Sequence, residues 1–490
     1  MKKYLVLTIS IFMIVGFLLS GCKSDKASQS NGNDVVTLTF WNRLGSGKTY
    51  FPKLIKDFEE KHPNIKIELT NVTGESMQAQ YQAAIADNKL PDIFVRPQGF
   101  SVAQLVKLDQ LHNLDEIFPE DVRKDYVEGT FNTGTEKSIM LDGSVYQFPM
   151  YSGTHGATML WYNKDVLESA GIKDGAPETW DEMIEIGKKI YDSSNGDKYG
   201  LIVAGKTQWL NSEIIRQMST EISPESEMNF FTGQYNFDTK GIVESMELFK
   251  ELLDEKVMSP VSLEIDVRKA QALFSAGKAA FFIDGNWAGQ TFVDEEKFEN
   301  WGVAPLPTKE KDARSYRLYA GGVGEGIEVA KYTEHWPEVK LFLEYLRDNI
   351  YSSIVEVGDG APALELEKIE SVELPFPQYK DITEIMKNKS LVVPIAAKLN
   401  PNVIDVKESF SRKAPHKNIG TILDGYLTGQ ISDLHSELEQ MTDEYNKVFN
   451  ELVKEAGDKV SKEDFIFPNW DPRESYTEED YQELKEIRNK

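Results

Sequence analysis

Apolar residues in the first third of the chain fall into two alternating rhythms. Val36–Trp41 is strand-like, and Phe51, Leu54, Ile55 and Phe58 then recur at helical spacing within Tyr50–Lys61, a helix that His62-Pro63 stops. Ile65-Lys66-Ile67-Glu68-Leu69 alternates apolar with polar, as a half-buried strand does. Met77–Lys89 sets Ala83, Ala84 and Ile85 inward, and Pro91-Asp92 leads into Ile93-Phe94-Val95. This strand–helix alternation predicts a mostly parallel sheet with helices on both faces. Ligands of such sheets sit beyond the carboxyl ends of the strands, so the loops after Phe40 and Val95 are the first places to look.

Beyond Asn163 the pattern predicts helices over Lys164–Ala170, Trp180–Tyr191, Asn211–Ser219, Gly241–Lys256, Val267–Ala276 and His335–Arg347. Leu201–Val203, Ala279–Ile283 and Trp301–Ala304 read as strands. Tyr319–Val329 is glycine-rich, and Asp433–Glu455 carries Leu434, Leu438, Met441, Tyr445, Val448, Phe449 and Leu452 on one face of a long amphipathic helix. Residues 457–490 lack a long apolar pattern, and Trp470 and Tyr481 suggest a segment laid over the surface.

The amino terminus follows a different logic. Met1-Lys2-Lys3 is a positive region, Tyr4–Leu19 is almost wholly apolar, and Leu19-Ser20-Gly21-Cys22 closes the run with small residues before a cysteine. Residues 1–21 therefore read as a secretory signal, too short to span a bilayer comfortably. Cys22 is the only cysteine of 490 residues, which excludes an intramolecular disulfide and a thiolate metal cluster. The stretch resembles the bacterial lipoprotein lipobox, which implies a diacylglyceryl thioether on Cys22 and a lipid anchor in the membrane. Lys23–Asp34 is polar, so residues 22–35 form the lipidated cysteine and a flexible tether of roughly 20 Å root-mean-square reach. The folded body is expected at the extracytoplasmic face of a cell membrane.

Charge narrows the partners. The formal net charge of −26 repels nucleic acid and anionic lipid, and disfavours polyanionic ligands unless a local basic pocket overrides it. Gly45-Ser46-Gly47-Lys48-Thr49 follows a strand as a phosphate-cradling loop would. The full motif needs a glycine where Asn42 stands, so the glycines are read as a turn opening the first helix. The six histidines fall singly, no G-x-S-x-G elbow occurs, and no catalytic residue, metal or cofactor is expected. Asp192–Asp197 has a calcium-loop flavour but lacks the distal bidentate glutamate, and is read as a turn.

Several stretches carry a family resemblance in the right order: "VTLTFWN", "FPKLIKDFEEKHPNIKIEL", "YQAAIADNKLPDIF", "LWYNKDVLESAGI" with "PETWDEM", "ALFSAGKAAFFIDGNWAGQ" before "WGVAPLPT", and "AGGVGEGIEVAK". Together they span about Val36 to Tyr345. The chain resembles an extracellular solute-binding protein of an ABC importer, of the oligosaccharide-binding type to which maltose-binding proteins belong. The resemblance implies an α/β fold of the periplasmic-binding-protein type: two lobes, an interlobe cleft and hinge strands. Lobe 1 would be 36–157 with a return segment at about 322–363. Lobe 2 would be 158–321 with C-terminal helices at about 364–456, and 457–490 would be the C-terminal surface segment.

A neutral sugar needs flat aromatics under its rings and polar groups at their rim. Trp41 stands at the end of the first strand, with Asn42 and Arg43 behind it, and Gln98 follows the third. Tyr151 precedes the first crossover, Trp209 opens a helix, and Gly321 and Gly322 allow backbone approach at the second crossover. The Asp284-Gly285-Asn286-Trp287 stretch resembles the family's cleft-lining Gly-x-Trp segment, which implies Trp287 under a sugar, with Asp284 and Asn286 at hydroxyls. Asp359 completes the candidates. Trp161, Trp180, Trp301 and Trp336 are read as packing residues. The implied function is capture of an oligosaccharide, or a related polar solute such as a peptide, by a monomer that delivers it to the transmembrane subunits of an ABC permease. A surface-anchored glycan hydrolase and an accessory receptor for a sensor kinase are the alternatives.

Overall fold

The computed structural model describes residues 35–72, 77–97, 100–133, 138–154, 156–173, 175–323, 325–358, 361–369 and 372–489. The leader, Cys22, the tether, Gln98 and Asp359 lie outside the described residues. Among the described residues no helix is long and apolar enough to cross a membrane.

The first sheet has five strands in the order 65–71, 36–42, 93–95, 326–329, 148–149. The three strands of the opening run are parallel, with Phe40 opposite both Leu69 and Ile93. The returning strand Gly326–Val329 joins antiparallel to both its neighbours. In Val36–Asn42 the alternate residues Leu38, Phe40 and Asn42 are buried. The helix Gly47–Lys61 covers that face with Tyr50, Phe51, Leu54, Ile55 and Phe58, and Phe40 meets Phe51 edge to face at 4.7 Å. The 336–356 helix packs beside it, through Phe342 against Phe40 and Phe58. Each such fully buried side chain contributes about 1.5–3 kcal/mol.

The second sheet runs 301–304, 158–163, 279–285, 199–202. Its inner strand Ala279–Gly285 is buried at every position, because sheet neighbours flank it and helices cover both faces. Thr158–Asn163 is antiparallel to it, and Tyr199–Ile202 parallel. The helix Trp180–Ser193 starts at a capping box in which Thr179 accepts from the Glu182 N–H and Glu182 reaches back, a device worth about 1 kcal/mol. Trp161 and Trp301 sit in this core, and Trp180 is buried against it. Trp336 stacks on His112 at 3.9 Å. At Asn195-Gly196 the 192–197 segment turns through the left-handed region, and Asp197 pairs with Lys278.

The chain passes between the sheets three times, and the three segments lie side by side. Ser152 bridges Val323 and donates its N–H to the Ala361 carbonyl at 3.1 Å, while Ala363 donates to Met150 at 2.9 Å. Gly153 is obligatory here, since a Cβ would stand 2.7 Å from the Gly322 carbonyl oxygen.

The C-terminal third is less regular in sequence. The helices 379–388, 419–427 and the start of 434–455 pack on the second sheet's core. Residues 457–490, expected to lie across the surface, bury Val460, Phe465, Phe467, Trp470, Tyr476, Tyr481 and Leu484 in a third apolar cluster with Phe230, Phe410 and Phe449. From Val460 to Tyr476 single side chains spaced by turns anchor this segment without a regular period, while Tyr481 and Leu484 lie one turn apart on the short helix Glu478–Arg488.

Candidate functional site

The two tryptophans expected in the second lobe come together. Trp287 follows the buried strand 279–285, and Trp209 is the second residue of the helix Gln208–Ser219. Their ring centres are 5.7 Å apart, with planes tilted by 46°. Trp209 is 56% exposed, and Trp287 is half-buried. Together the two indoles offer a ligand two apolar ring faces inclined to one another.

The structure gives Asp284 a different place from the expected one. It is fully buried and accepts from Gln271 Nε2 at 2.8 Å and the Gly285 N–H at 2.7 Å, and the Trp287 indole hydrogen-bonds it as well. Burial pushes its carboxyl up to about 7, against the pull of those hydrogen bonds. Asp284 therefore fixes the indole and has no free face for a hydroxyl. Gly285 lets the ring lie flat, since a Cβ would stand 2.1 Å from it. Asn286 is also buried, its Oδ1 accepting from the Gly156 N–H at 2.8 Å. It joins the tryptophan loop to the first crossover.

The lobe 1 candidates are divided. Trp41 is half-buried, edge to face on Tyr81 at 5.3 Å. Asn42 does not reach solvent: its Nδ2 donates to Asn71 Oδ1 at 2.7 Å, and its Oδ1 accepts from the Leu44 N–H at 3.0 Å. Its amide holds the turn in which the phosphate-like glycines lie, against Gly47. Arg43 spends its guanidinium on the Arg96 carbonyl and on Glu325, tying the first loop to the second crossover. Tyr151 is buried, its hydroxyl shared with Ser46 at 3.2 Å and Tyr50 at 3.1 Å. Gly321 and Gly322 both adopt positive φ, +71° and +89°, so their identity follows from backbone geometry.

Sequence reading missed the groups beside the crossovers. A cavity of about 390 Å³ is lined by Gly153, Glu213, Arg317, Tyr319 and Lys407 together with Phe230, Phe410, Phe449 and Phe465 of the C-terminal cluster, so its wall is mostly apolar with a few charged groups. Glu213 lies four residues after Trp209 on the same helix face, so one wall of the cavity stands a helical turn from that indole. Burial lowers Arg317 from the ordinary arginine range. "SYRLYA" reads as a short polar-apolar segment, and nothing in it signals that Arg317 folds inward. Ser101 donates to Glu408 Oε1 at 2.6 Å and Lys107 pairs with Asp405, so the helices 102–107 and 403–413 touch through these two contacts.

Two sheets joined by three crossovers, with a pair of exposed indoles and a largely apolar cavity carrying a few charged groups beside the hinge, define a two-lobed solute-binding protein. The model of the bacterial extracellular solute-binding proteins matches residues 42–350, and the chain belongs to that family. The arabinooligosaccharide-binding protein of Bacillus subtilis is 25% identical over 358 residues, covering 71% of this chain and 77% of that protein. The multiple sugar-binding protein of Streptococcus mutans is 24% identical over 351 residues, 69% of this chain and 78% of that one. Among solved structures, the maltose/maltodextrin-binding domain MalE from Bdellovibrio bacteriovorus bound to maltotriose superimposes with a TM-score of 0.60 at 20% identity, over 85% of this chain and all of that domain.

Proposed function

We propose that the protein captures an oligosaccharide between its lobes, without chemistry on it, and hands it to the transmembrane subunits of an ABC permease. The observation that carries this reading is the Trp209–Trp287 pair, which offers the C–H faces of a sugar ring two indoles. The names of the curated relatives, arabinooligosaccharide- and multiple sugar-binding proteins, support the ligand class. Lobe 1 is taken as 36–157 with 322–363, and lobe 2 as 158–321 with 364–456, followed by 457–490. Ligand touching both lobes biases the open–closed equilibrium towards the closed form, which the permease reads. Cys22, acylated, holds the monomer at the outer face of the membrane, and the 23–35 tether gives it reach.

The test is intrinsic tryptophan fluorescence of the chain from Lys23, titrated with neutral and acidic oligosaccharides, followed by recovery of the ligand. A saturable change with the sugar returned intact supports capture. Shortened sugar identifies a hydrolase instead, and silence towards every sugar removes the reading.

A further inference from the structure

Among the described residues Arg317 makes no ion pair. It lies on the short strand Arg317–Tyr319 beside the hinge, its Nη1 donates to the Gly153 carbonyl at 2.9 Å, and its guanidinium carbon is 5.6 Å from the centre of the Tyr319 ring. Its Nε is shut off from solvent with no hydrogen-bond partner among the described residues. The acidic side chain that acts on it, Glu213, is itself paired with Arg216 at 2.7 Å, and Arg216 also holds Glu227 at 2.5 Å. Arg317 lines both the 390 Å³ cavity and a neighbouring one of about 520 Å³. Lys407 adds a second cationic side chain to the wall of the first.

Arg317 is half-buried with its Nε shut off from solvent, and taking a cation even partly out of water without an opposing charge carries a cost. The guanidinium fork matches a carboxylate bidentately, and one carbonyl contact leaves most of its donors unspent. Within a chain of formal charge −26, the wall of the first cavity carries two cationic side chains against one carboxylate. Trp209 and Glu213 are separated by about 6 Å along the helix axis, a distance on the scale of one pyranose ring. A ring stacked on the indoles would direct its neighbour into the cavity.

We propose that the ligand supplies the missing charge: the cavity takes a uronic acid ring of an acidic oligosaccharide, whose carboxylate accepts from Arg317. This rests on the sugar-capture reading above and narrows its ligand class. A short acidic chain fits, because the overall negative field would repel a long polyanion.

The experiment is calorimetric titration of the chain from Lys23 with oligogalacturonides and oligoglucuronides, their methyl esters, and neutral gluco-, xylo- and arabino-oligosaccharides of equal length. At least one acid is expected to bind, its methyl ester 10- to 100-fold more weakly. Arg317→Gln is expected to weaken the acid 10- to 100-fold and the ester by much less, and Arg317→Lys to restore part of the difference. Thermal melts of both variants establish that they are folded; a merely structural Arg317 would weaken acid and ester alike, which overturns the proposal. Neutral sugars binding while acids do not would also overturn it, yet leave the capture reading standing. Failure of every sugar rejects both.

Discussion

The indole of Trp287 lies across Gly285, so close that a Cβ there would fall 2.1 Å from the ring. The glycine is thus a condition of the platform. Gly285→Ala is expected to tilt the indole, shift its emission and weaken ligand binding about tenfold or more, while the strand 279–285 keeps its pairing. Fluorescence spectra and titrations of the variant check this; unaltered emission and affinity would show that the ring does not depend on the close approach.

The exposed partner separates binding from stability. Trp209→Ala removes a half-solvated ring and is expected to change folding stability by no more than about 0.5 kcal/mol. Its ligand affinity is expected to fall about tenfold, corresponding to about 1.4 kcal/mol. Trp287→Ala also removes a hydrogen bond to buried Asp284, so it is expected to lower the melting temperature as well as the affinity. Melting curves beside binding curves for the two variants resolve the difference.

Two buried carboxyls set a pH dependence of folding. Burial raises Asp284 from its ordinary 3.8 to about 7, and Glu328, held by Gln147 and Arg96, from 4.5 to about 8. Between about pH 4 and 8 the folded chain therefore retains protons that the unfolded chain has released. Stability is fully present below that window and falls as pH rises through it. Asp284→Asn and Glu328→Gln are each expected to flatten the fall, and the double variant most. Denaturation midpoints from pH 4 to 9 check the sign: a wild-type chain that gains stability over the window would contradict it.

How legible this was in the sequence depends on the kind of signal. The strand 301–304 and the helix 434–455 follow directly from apolar spacing, since burial on one face leaves its period in the sequence. Trp287 follows a clear strand and is implied as cleft-lining by the family resemblance, whereas Trp209 is marked only by its place at the opening of a helix. Asp284 and Asn42 were misplaced for one reason: a polar residue at a strand end looks the same whether it faces a cleft or a buried partner. In both cases the partner, Gln271 or Asn71, lies on another element and only the fold brings it near. Arg317 was invisible because an inward arginine has no period, and its neighbourhood is assembled from residues 153, 213, 321 and 407.

The hinge has its own steric requirement. Gly153→Ala would push a methyl group against the Gly322 carbonyl oxygen at 2.7 Å and the Tyr319 ring at 3.0 Å. The first of these is backbone, so the crossovers must part. The expected cost is about 1–3 kcal/mol of stability, with incomplete compaction on ligand binding in small-angle scattering. A variant that melts and closes like the wild type would show that the crossovers have slack.

The central claim is that ligand contacts both lobes, and the scattering measurement addresses it most directly. The radius of gyration of the chain from Lys23 is to be recorded with and without a saturating oligosaccharide, with the sugar analysed afterwards. A smaller radius with ligand, reversed by dialysis and accompanied by intact sugar, is the expected result. An unchanged radius at full occupancy, or a shortened sugar, would contradict capture by lobe closure.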